Sequence, residues 1–440
     1  MLSYLNGVLS GVIVPALMCA SGLFYCIKLR FFHIFKPHRV LRALRPDRRG
    51  SGFSSIGALL LALAGTLGVG NIVGVCSAIS LGGFGAVFWM WISALLAMIL
   101  KYAEIVLTMI YRKRGSDGSY RGCATDYVGA FWSSLGLRRV GRAVCIVFSL
   151  AFVLCSLTMG SMLQSSAISE ALNGTMHVPP VATGAVLAAL TLYICMSGTQ
   201  KIVKITNLLV PVMSIGYVLI SLAVIIPNAH RLCDVLSLIV RSALSPTAAA
   251  GGVGGFAISR AVRYGVMRGL VSNEAGCGTA PCAHAIADCS SPAKQGVWGI
   301  FEVFVDTVVL CTLTALVVIL EYDAASAYDG NYMLMTVAAF SARLGSAAAY
   351  FLCAAVLCFG FATVLCWAHY GLCAVRSLGL SPSWERPFIF VYALCVLLGT
   401  CTPTSLSWEL CDLSMGIMCV INLIACVGLW RQVKRHTENL

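Results

Sequence analysis

From Ser51 to Leu100 the chain carries no Asp, Glu, Lys or Arg. A helix that crosses a bilayer needs roughly 20 apolar residues, so this stretch predicts two spans. Uncharged or nearly uncharged runs recur, and the full set predicts spans near 8–27, 54–81, 84–110, 143–169, 182–198, 205–226, 250–287, 296–320, 345–375, 387–401 and 409–430. That is an all-α integral membrane protein of about eleven helices. The first run is preceded by no positive charge, unlike a secretory signal, so a retained first helix is expected. The loop behind it, Lys28 to Arg49, holds Lys28, Arg30, Lys36, Arg39, Arg42, Arg45, Arg48 and Arg49. Such a cluster stays on the cytoplasmic side and puts the N-terminus outside.

Threading eleven spans from that anchor places Arg112 to Arg114, Arg121, Arg138, Arg139, Arg142, Lys201, Lys204, Lys294, Arg376, Arg386 and Arg431 to Arg435 inside. The acidic group Glu321, Asp323 and Asp329 falls outside, with Arg231, Arg241 and Arg343 as the basic minority. The C-terminus is then cytoplasmic. This multi-pass arrangement suits a prokaryotic cytoplasmic (inner) membrane.

Composition agrees. Apolar residues make up 59% and charged residues 11%, and the mean hydropathy is +0.89, which leaves too little polar surface to coat a soluble body. The net charge of +13 sits in short loops and is read as membrane orientation rather than as a nucleic-acid surface. Twenty-one cysteines show no paired C-x-x-C spacing with nearby His, so they read as small apolar packing residues rather than metal ligands. There is no H-E-x-x-H and no G-x-S-x-G, and no enzyme or cofactor is expected.

Two segments break helix rules within predicted spans. Gly65-Thr66-Leu67-Gly68-Val69-Gly70-Asn71-Ile72-Val73-Gly74 places four glycines where each costs roughly 1 kcal/mol of helix propensity relative to Ala. Either the backbone unwinds there to expose carbonyls and N–H groups to a ligand, or the glycines let helices pack closely. Val271-Ser272-Asn273-Glu274-Ala275-Gly276-Cys277-Gly278-Thr279-Ala280-Pro281 adds an acid, an amide, two glycines and a proline at membrane depth, with Glu274 placed to cap or brace a second broken helix. Setting the first helix aside, the breaks fall in helices one and six of ten, the pattern of an inverted-repeat transporter. The chain divides accordingly into residues 1–50 (first helix and basic loop), 51–230 (first five-helix repeat) and 231–440 (second).

Other polar positions leave two readings each. Glu302 and Asp306, at i and i+4, share a helix face and form either a proton relay or a satisfied polar cluster. Lys101 and Glu104, at i and i+3, read as an ion pair at a cytoplasmic helix end. Arg260, Arg263 and Arg268 either line an outer vestibule or snorkel to the interface.

The longest motifs resemble those of the alanine or glycine:cation symporters. They are G-T-L-G-V-G-N-I-V-G-V from Gly65, the stretch from Gly85 (G-A-V-F-W-M-W) to Glu104 (K-Y-A-E), and Arg263 to Ala285, with weaker echoes at Gly160–Ser166, Lys201–Pro211, Thr363–Gly371 and Trp408–Asn422. This resemblance implies a leucine-transporter-type 5+5 inverted repeat with one extra N-terminal helix. The implied activity is import of a small neutral amino acid, alanine or glycine, coupled to Na⁺ by alternating access.

The resemblance assigns the substrate to Gly70, Asn71, Gln164, Asn273 to Gly276, Thr363 and Trp367, and a Na⁺ ion to Gly65, Gly68 and Thr363. Backbone N–H and amide groups would hold the carboxylate, Gln164 and carbonyls the ammonium, and Trp367 would limit side-chain size. Interhelical bonding for Gln164 and ordinary packing for Trp367 are the alternatives.

The chain departs from the family pattern at three places. Val69 precedes Gly70 where the family usually reads G-T-G-N, Ser161 stands in the G-N-M-V-Q stretch, and Ala362-Thr363 replaces S-T. The Ala362 departure removes one hydroxyl from the expected ion site and keeps proton coupling open. A channel would need a repeated selectivity segment or a ring of charge, which is not visible. A sensor would need an output domain, and ten residues follow Trp430. No protein partner or nucleic acid is implied.

Overall fold

The computed structural model describes residues 2–45, 53–115, 118–244, 255–289, 291–402, 404–438 and 440. Arg48, Arg49 and the first residues of the span predicted at 250–287 lie outside them. Among the described residues seven helices are long and apolar enough to cross a membrane: α1 (Tyr4–Lys28), α4 (Gly85–Tyr111), α6 (Arg138–Met176), the continuous pair formed by α8 (Thr199–Ile225) and α9 (Leu232–Leu244), α12 (Pro292–Leu320), α14 (Ser346–Ser377) and α16 (Ser405–Gly428). Between them stand α2 (Ser55–Thr66), α3 (Val73–Gly82), α5 (Ala124–Ser134), α7 (Pro180–Met196), α10 (Gly255–Asn273), α11 (Ala280–His284), α13 (Tyr332–Leu344), α15 (Glu385–Gly399) and α17 (Trp430–Glu438). A two-residue antiparallel ladder pairs Lys113 with Arg121 and Arg114 with Tyr120.

The outer surface is lipid-like. On α8, Leu208, Val212, Ile215 and Leu219 are exposed at 4-3-4 spacing, while Val210, Met213, Tyr217 and Val224 face inward. An exposed stripe this apolar would be unstable in water and is satisfied in a bilayer. The chain is a multi-pass membrane protein.

Both glycine-rich segments are breaks. The α2 ladder ends when the Leu67 N–H donates to Leu63 O at 2.7 Å. A short 3₁₀ turn, Val69–Asn71, intervenes before α3 begins. Gly68 is required by close approach, because a Cβ there would lie 2.9 Å from Thr363 Oγ1 and 3.0 Å from Gln164 Oε1. In the second break Glu274, Gly276 and Gly278 take φ of +54°, +85° and +77°. Glycine adopts this region freely, whereas Glu274 is strained there.

The α4 helix packs against α10 and α12, and α3 lies along α10, so the two broken helices meet at the centre of the bundle. Two of the surrounding helices widen beside the breaks into π-helical stretches, Ser156–Met162 within α6 and Phe304–Cys311 within α12. Such stretches are frequent at functional sites.

Candidate functional site between the two helix breaks

A cavity of about 260 Å³ opens beside the first break. Gly65, Gly68, Gly70 and Gln164 line it, four of the positions expected from sequence, together with Val271 from the end of α10. Its walls are closed by Leu163 and Ala167 of α6 and by Asn331 and Tyr332 at the start of α13. At its mouth Asn331 Nδ2 donates to Glu170 Oε1 at 2.7 Å. A Cβ on Gly70 would meet only Ser272 Cα, at 3.9 Å, so the first break faces the last turn of α10 there.

Gln164 is held in place from both ends. Its Oε1 accepts from the Val69 N–H at 3.1 Å, and its Nε2 donates to Met159 O in the π-helical stretch at 3.2 Å. The expected amide is therefore at the cavity wall, bonded to the unwound segment.

The other expected residues stand one layer behind the lining and shape the breaks. Thr363 Oγ1 bonds Ala64 O at 2.9 Å and Phe359 O at 3.0 Å, with Leu67 O at 3.5 Å. Trp367 is fully buried. Its Nε1 donates to Glu274 Oε1 at 3.1 Å, with Gly65 O at 3.4 Å, and its ring meets Phe152 and Tyr370 edge-on. Asn273 uses its side chain to cap the Ala275 N–H at 3.0 Å and to reach Thr307 Oγ1 at 3.2 Å. Gly276 O accepts from Asn422 Nδ2 at 2.9 Å.

Asn71 turns away from the cavity toward Asp306. Its Nδ2 donates to Asp306 Oδ1 at 2.7 Å and its backbone O accepts from Thr314 Oγ1 at 2.9 Å. Ser272 and Thr307 hydroxyls both donate to Asp306 Oδ2 at 2.7 Å. One carboxylate thus ties the two breaks together. Asn71 Oδ1 is buried with no hydrogen-bond partner among the described residues.

Below lies a second buried polar group. Lys101 Nζ donates to Asn273 O at 2.7 Å and pairs with Glu302 Oε1 at 3.0 Å, with both side chains 1% exposed. Glu302 Oε2 meets His284 Nε2 at 3.1 Å, and His284 Nδ1 meets Gln295 Nε2 at 2.9 Å. Glu104 instead accepts from the Gly278 N–H at 3.0 Å and from Asn422 Nδ2, and Tyr127 OH donates to Asn422 Oδ1 at 2.5 Å. The expected Lys101–Glu104 pair is corrected here. The two side chains serve different partners deep in the bundle rather than each other at a helix end. Glu274 braces its break as expected, accepting from Thr279 Oγ1 at 2.7 Å.

Two broken helices thus meet over a small cavity inside a multi-pass bundle, an arrangement that secondary transporters use at their binding sites. Solved structures share the overall fold. A crystal structure of the manganese transporter of Eremococcus coleocola superposes with a TM-score of 0.53 at 13% identity, covering 85% of this chain and 75% of that one. The outward-open, substrate-bound state of a Na⁺-coupled sialic acid symporter gives 0.53 at 11% identity, covering 98% and 83%.

The chain belongs to the sodium:alanine symporter family, whose profile matches residues 1–440. It is 34% identical to the amino-acid carrier protein AlsT of Bacillus subtilis over 93% of this chain and 85% of that protein. It is 31% identical to the sodium/alanine symporter AgcS of Methanococcus maripaludis over 98% and 95%. With the probable sodium/glutamine symporter GlnT of Bacillus subtilis it shares 33% over 96% and 86%.

Proposed function

We propose that this protein imports a small neutral amino acid, alanine or glycine, together with Na⁺ by alternating access, with the substrate bound between the two helix breaks. The observation that carries this reading is the cavity of about 260 Å³ at the unwound segment, smaller than the roughly 300–1,000 Å³ typical of drug-sized sites. Gly65, Gly68 and Gly70 leave its backbone open to a carboxylate and an ammonium group, and Gln164 supplies an amide. Relatives named as alanine, glutamine and amino-acid carriers support the class of substrate. Asn71, Asn273, Gly276, Thr363 and Trp367 act in this reading by setting the shape of the breaks.

For the ion, Thr363 Oγ1 with the carbonyls of Ala64 and Leu67 forms a set of hard oxygen donors at the end of α2, of the kind Na⁺ takes, and the Gly65 and Gly68 backbone adjoins it. Ala362 adds no hydroxyl. The Asp306 cluster supports the second reading, proton coupling, because a buried carboxylate linking both breaks is suited to relay a proton.

In the proposed topology eleven helices span the membrane, residues 51–230 and 231–440 form the two repeats, and the basic loops hold the N-terminus outside and the C-terminus in the cytoplasm. Binding of radiolabelled alanine to the purified protein, with and without Na⁺ and with glycine or glutamine as competitor, tests the reading. Sodium-dependent binding displaced by glycine supports it, and absence of binding with or without Na⁺ overturns it.

A further inference from the structure

At the basic end of the bundle, where α1 leaves the membrane, lies a cavity of about 220 Å³. Five cationic side chains converge on it: Lys28, Arg30, Lys36 and Arg39 from the chain following α1, and Lys434 from α17. Orientation in the membrane explains why basic residues sit at this end. It does not explain why residues from the two ends of the chain gather around one hollow, where their mutual repulsion is greatest.

The convergence is built by the backbone. Arg30 and Phe31 are consecutive non-glycine residues with φ of +55° and +47°, a conformation that L-residues adopt at a cost and that clusters at ligand clamps. This double left-handed turn reverses the chain at the end of α1 and brings Lys36 and Arg39 back over Lys28. The opposite wall is fixed as well. Tyr102 OH pairs with Thr437 Oγ1 at 2.8 Å, and Gln432 Nε2 donates to Tyr111 OH at 2.8 Å, so α17 is pinned to α4. Lys28 Nζ sits 4.8 Å over the Trp430 ring and 5.6 Å from that of Phe24, an aromatic pair placed as at a membrane interface.

Charge around the hollow is unbalanced. Against the five cations the wall sets two carboxylates, the Glu438 side chain, which is exposed and 3.8 Å from Lys434, and the terminal carboxylate of Leu440. Among the described residues no carboxylate pairs with Lys28, Arg30, Lys36 or Arg39. Beside the hollow, Leu23 and Ile27 of α1 and Ile34 and Phe35 of the reversed chain are exposed apolar side chains. The site therefore offers several cations for a phosphate and, next to them, an apolar surface for acyl chains.

We propose that this hollow is a binding site for the phosphate headgroup of an anionic membrane lipid. The headgroup phosphate lies among the Arg30, Lys36 and Arg39 side chains, and the acyl chains run along the exposed face of α1. Basic pockets of this kind at the cytoplasmic interface suit anionic headgroups. Arginine adds planar, two-point recognition of phosphate oxygens. The occupied site joins the first helix to the C-terminal helix. It does not depend on which substrate or ion the transporter carries.

The test uses the full-length protein purified in mild detergent and supplied with phosphatidylglycerol, phosphatidylcholine or inorganic phosphate, with retained ligand counted by native mass spectrometry. The expected result is one retained phosphatidylglycerol, preferred over phosphatidylcholine. Arg30→Gln/Lys36→Gln/Arg39→Gln weakens that retention roughly a hundredfold, at about a factor of five for each basic contact. A charge-matched variant away from the hollow, Arg138→Gln/Arg139→Gln/Arg142→Gln, retains the lipid as the unmodified protein does. Should the first triple variant fail to fold, Lys434→Gln alone lowers retention about fivefold. Equal retention of the two lipids, equal loss in both triple variants, or displacement of phosphatidylglycerol by millimolar inorganic phosphate overturns the proposal.

Discussion

Asn71 and Asp306 stand 235 positions apart in the chain, and the amide of one donates to the carboxylate of the other at 2.7 Å. Because Ser272 in the last turn of α10 donates to the same carboxylate, the first break and the helix end that leads into the second share one anchor. Any motion that opens one break relative to the other has to rearrange it.

Asp306→Asn keeps the volume but replaces one carboxylate oxygen by an amide N–H, which then faces either Asn71 Nδ2 or the hydroxyls of Ser272 and Thr307. At least one of those buried donors loses its acceptor, which costs roughly 1–3 kcal/mol. We expect ion-driven uptake to fall by at least roughly tenfold, equivalent to about 1.4 kcal/mol. Initial rates in proteoliposomes measure this, and a rate within a factor of two of the unmodified protein would show that the anchor is dispensable.

Lys101→Met leaves Glu302 buried without its cation and Asn273 O without its donor. Removing one partner of a buried pair costs roughly 3–5 kcal/mol. The double variant Lys101→Met/Glu302→Gln removes both charges and should recover most of that loss. Thermal unfolding of the four proteins in one detergent closes the cycle, and strictly additive losses would mean that the 3.0 Å pair carries no coupling.

Ala362→Ser restores a hydroxyl next to Thr363. If the α2 carbonyls and Thr363 hold Na⁺, one more hard oxygen ligand should lower the Na⁺ concentration for half-maximal uptake by roughly fivefold, equivalent to about 1 kcal/mol, a typical net value for one polar contact. Na⁺ titration of alanine uptake reads this directly, and an unchanged midpoint would place the ion elsewhere.

Part of the candidate site was legible because glycine and proline inside an apolar run have few explanations. The segments around Gly68 and Gly276 were identified as breaks on that basis, and Gln164, assigned by the family resemblance, lines the cavity. Long-range pairing was not legible. The i, i+3 spacing of Lys101 and Glu104 suggested a local pair, yet both side chains are needed to satisfy groups more than 170 positions away, Asn273 O and the Gly278 N–H. Trp367 offered size restriction or packing; its ring does pack on Phe152 and Tyr370, and its indole N–H also finds Glu274, a pairing that spacing could not show. Helices α5, α9 and α13 lie in stretches too short or too polar to read as spans, so hydropathy passed over them.

Arg376 binds Glu385 through two bonds, at 2.8 and 2.9 Å, next to a cavity at the basic end. The guanidinium hydrogen bond holds the Glu385 carboxyl below its ordinary value of 4.5. A depressed carboxylate stabilises the fold above its ordinary value and loses that contribution as pH falls through the lowered one. For a partly exposed pair the contribution is at most about 1 kcal/mol. Glu385→Gln should therefore flatten the decline in thermal stability below about pH 4.5 and lower stability slightly at pH 7. An unchanged acid profile would show that the pair contributes nothing.

We propose ion-driven transport of a small amino acid through the site between the breaks. Uptake of radiolabelled alanine and glycine into proteoliposomes, with Na⁺ and pH gradients imposed separately, tests it most directly. Accumulation driven by an inward Na⁺ gradient at constant pH is the predicted result, and no accumulation of either amino acid under any gradient would contradict it.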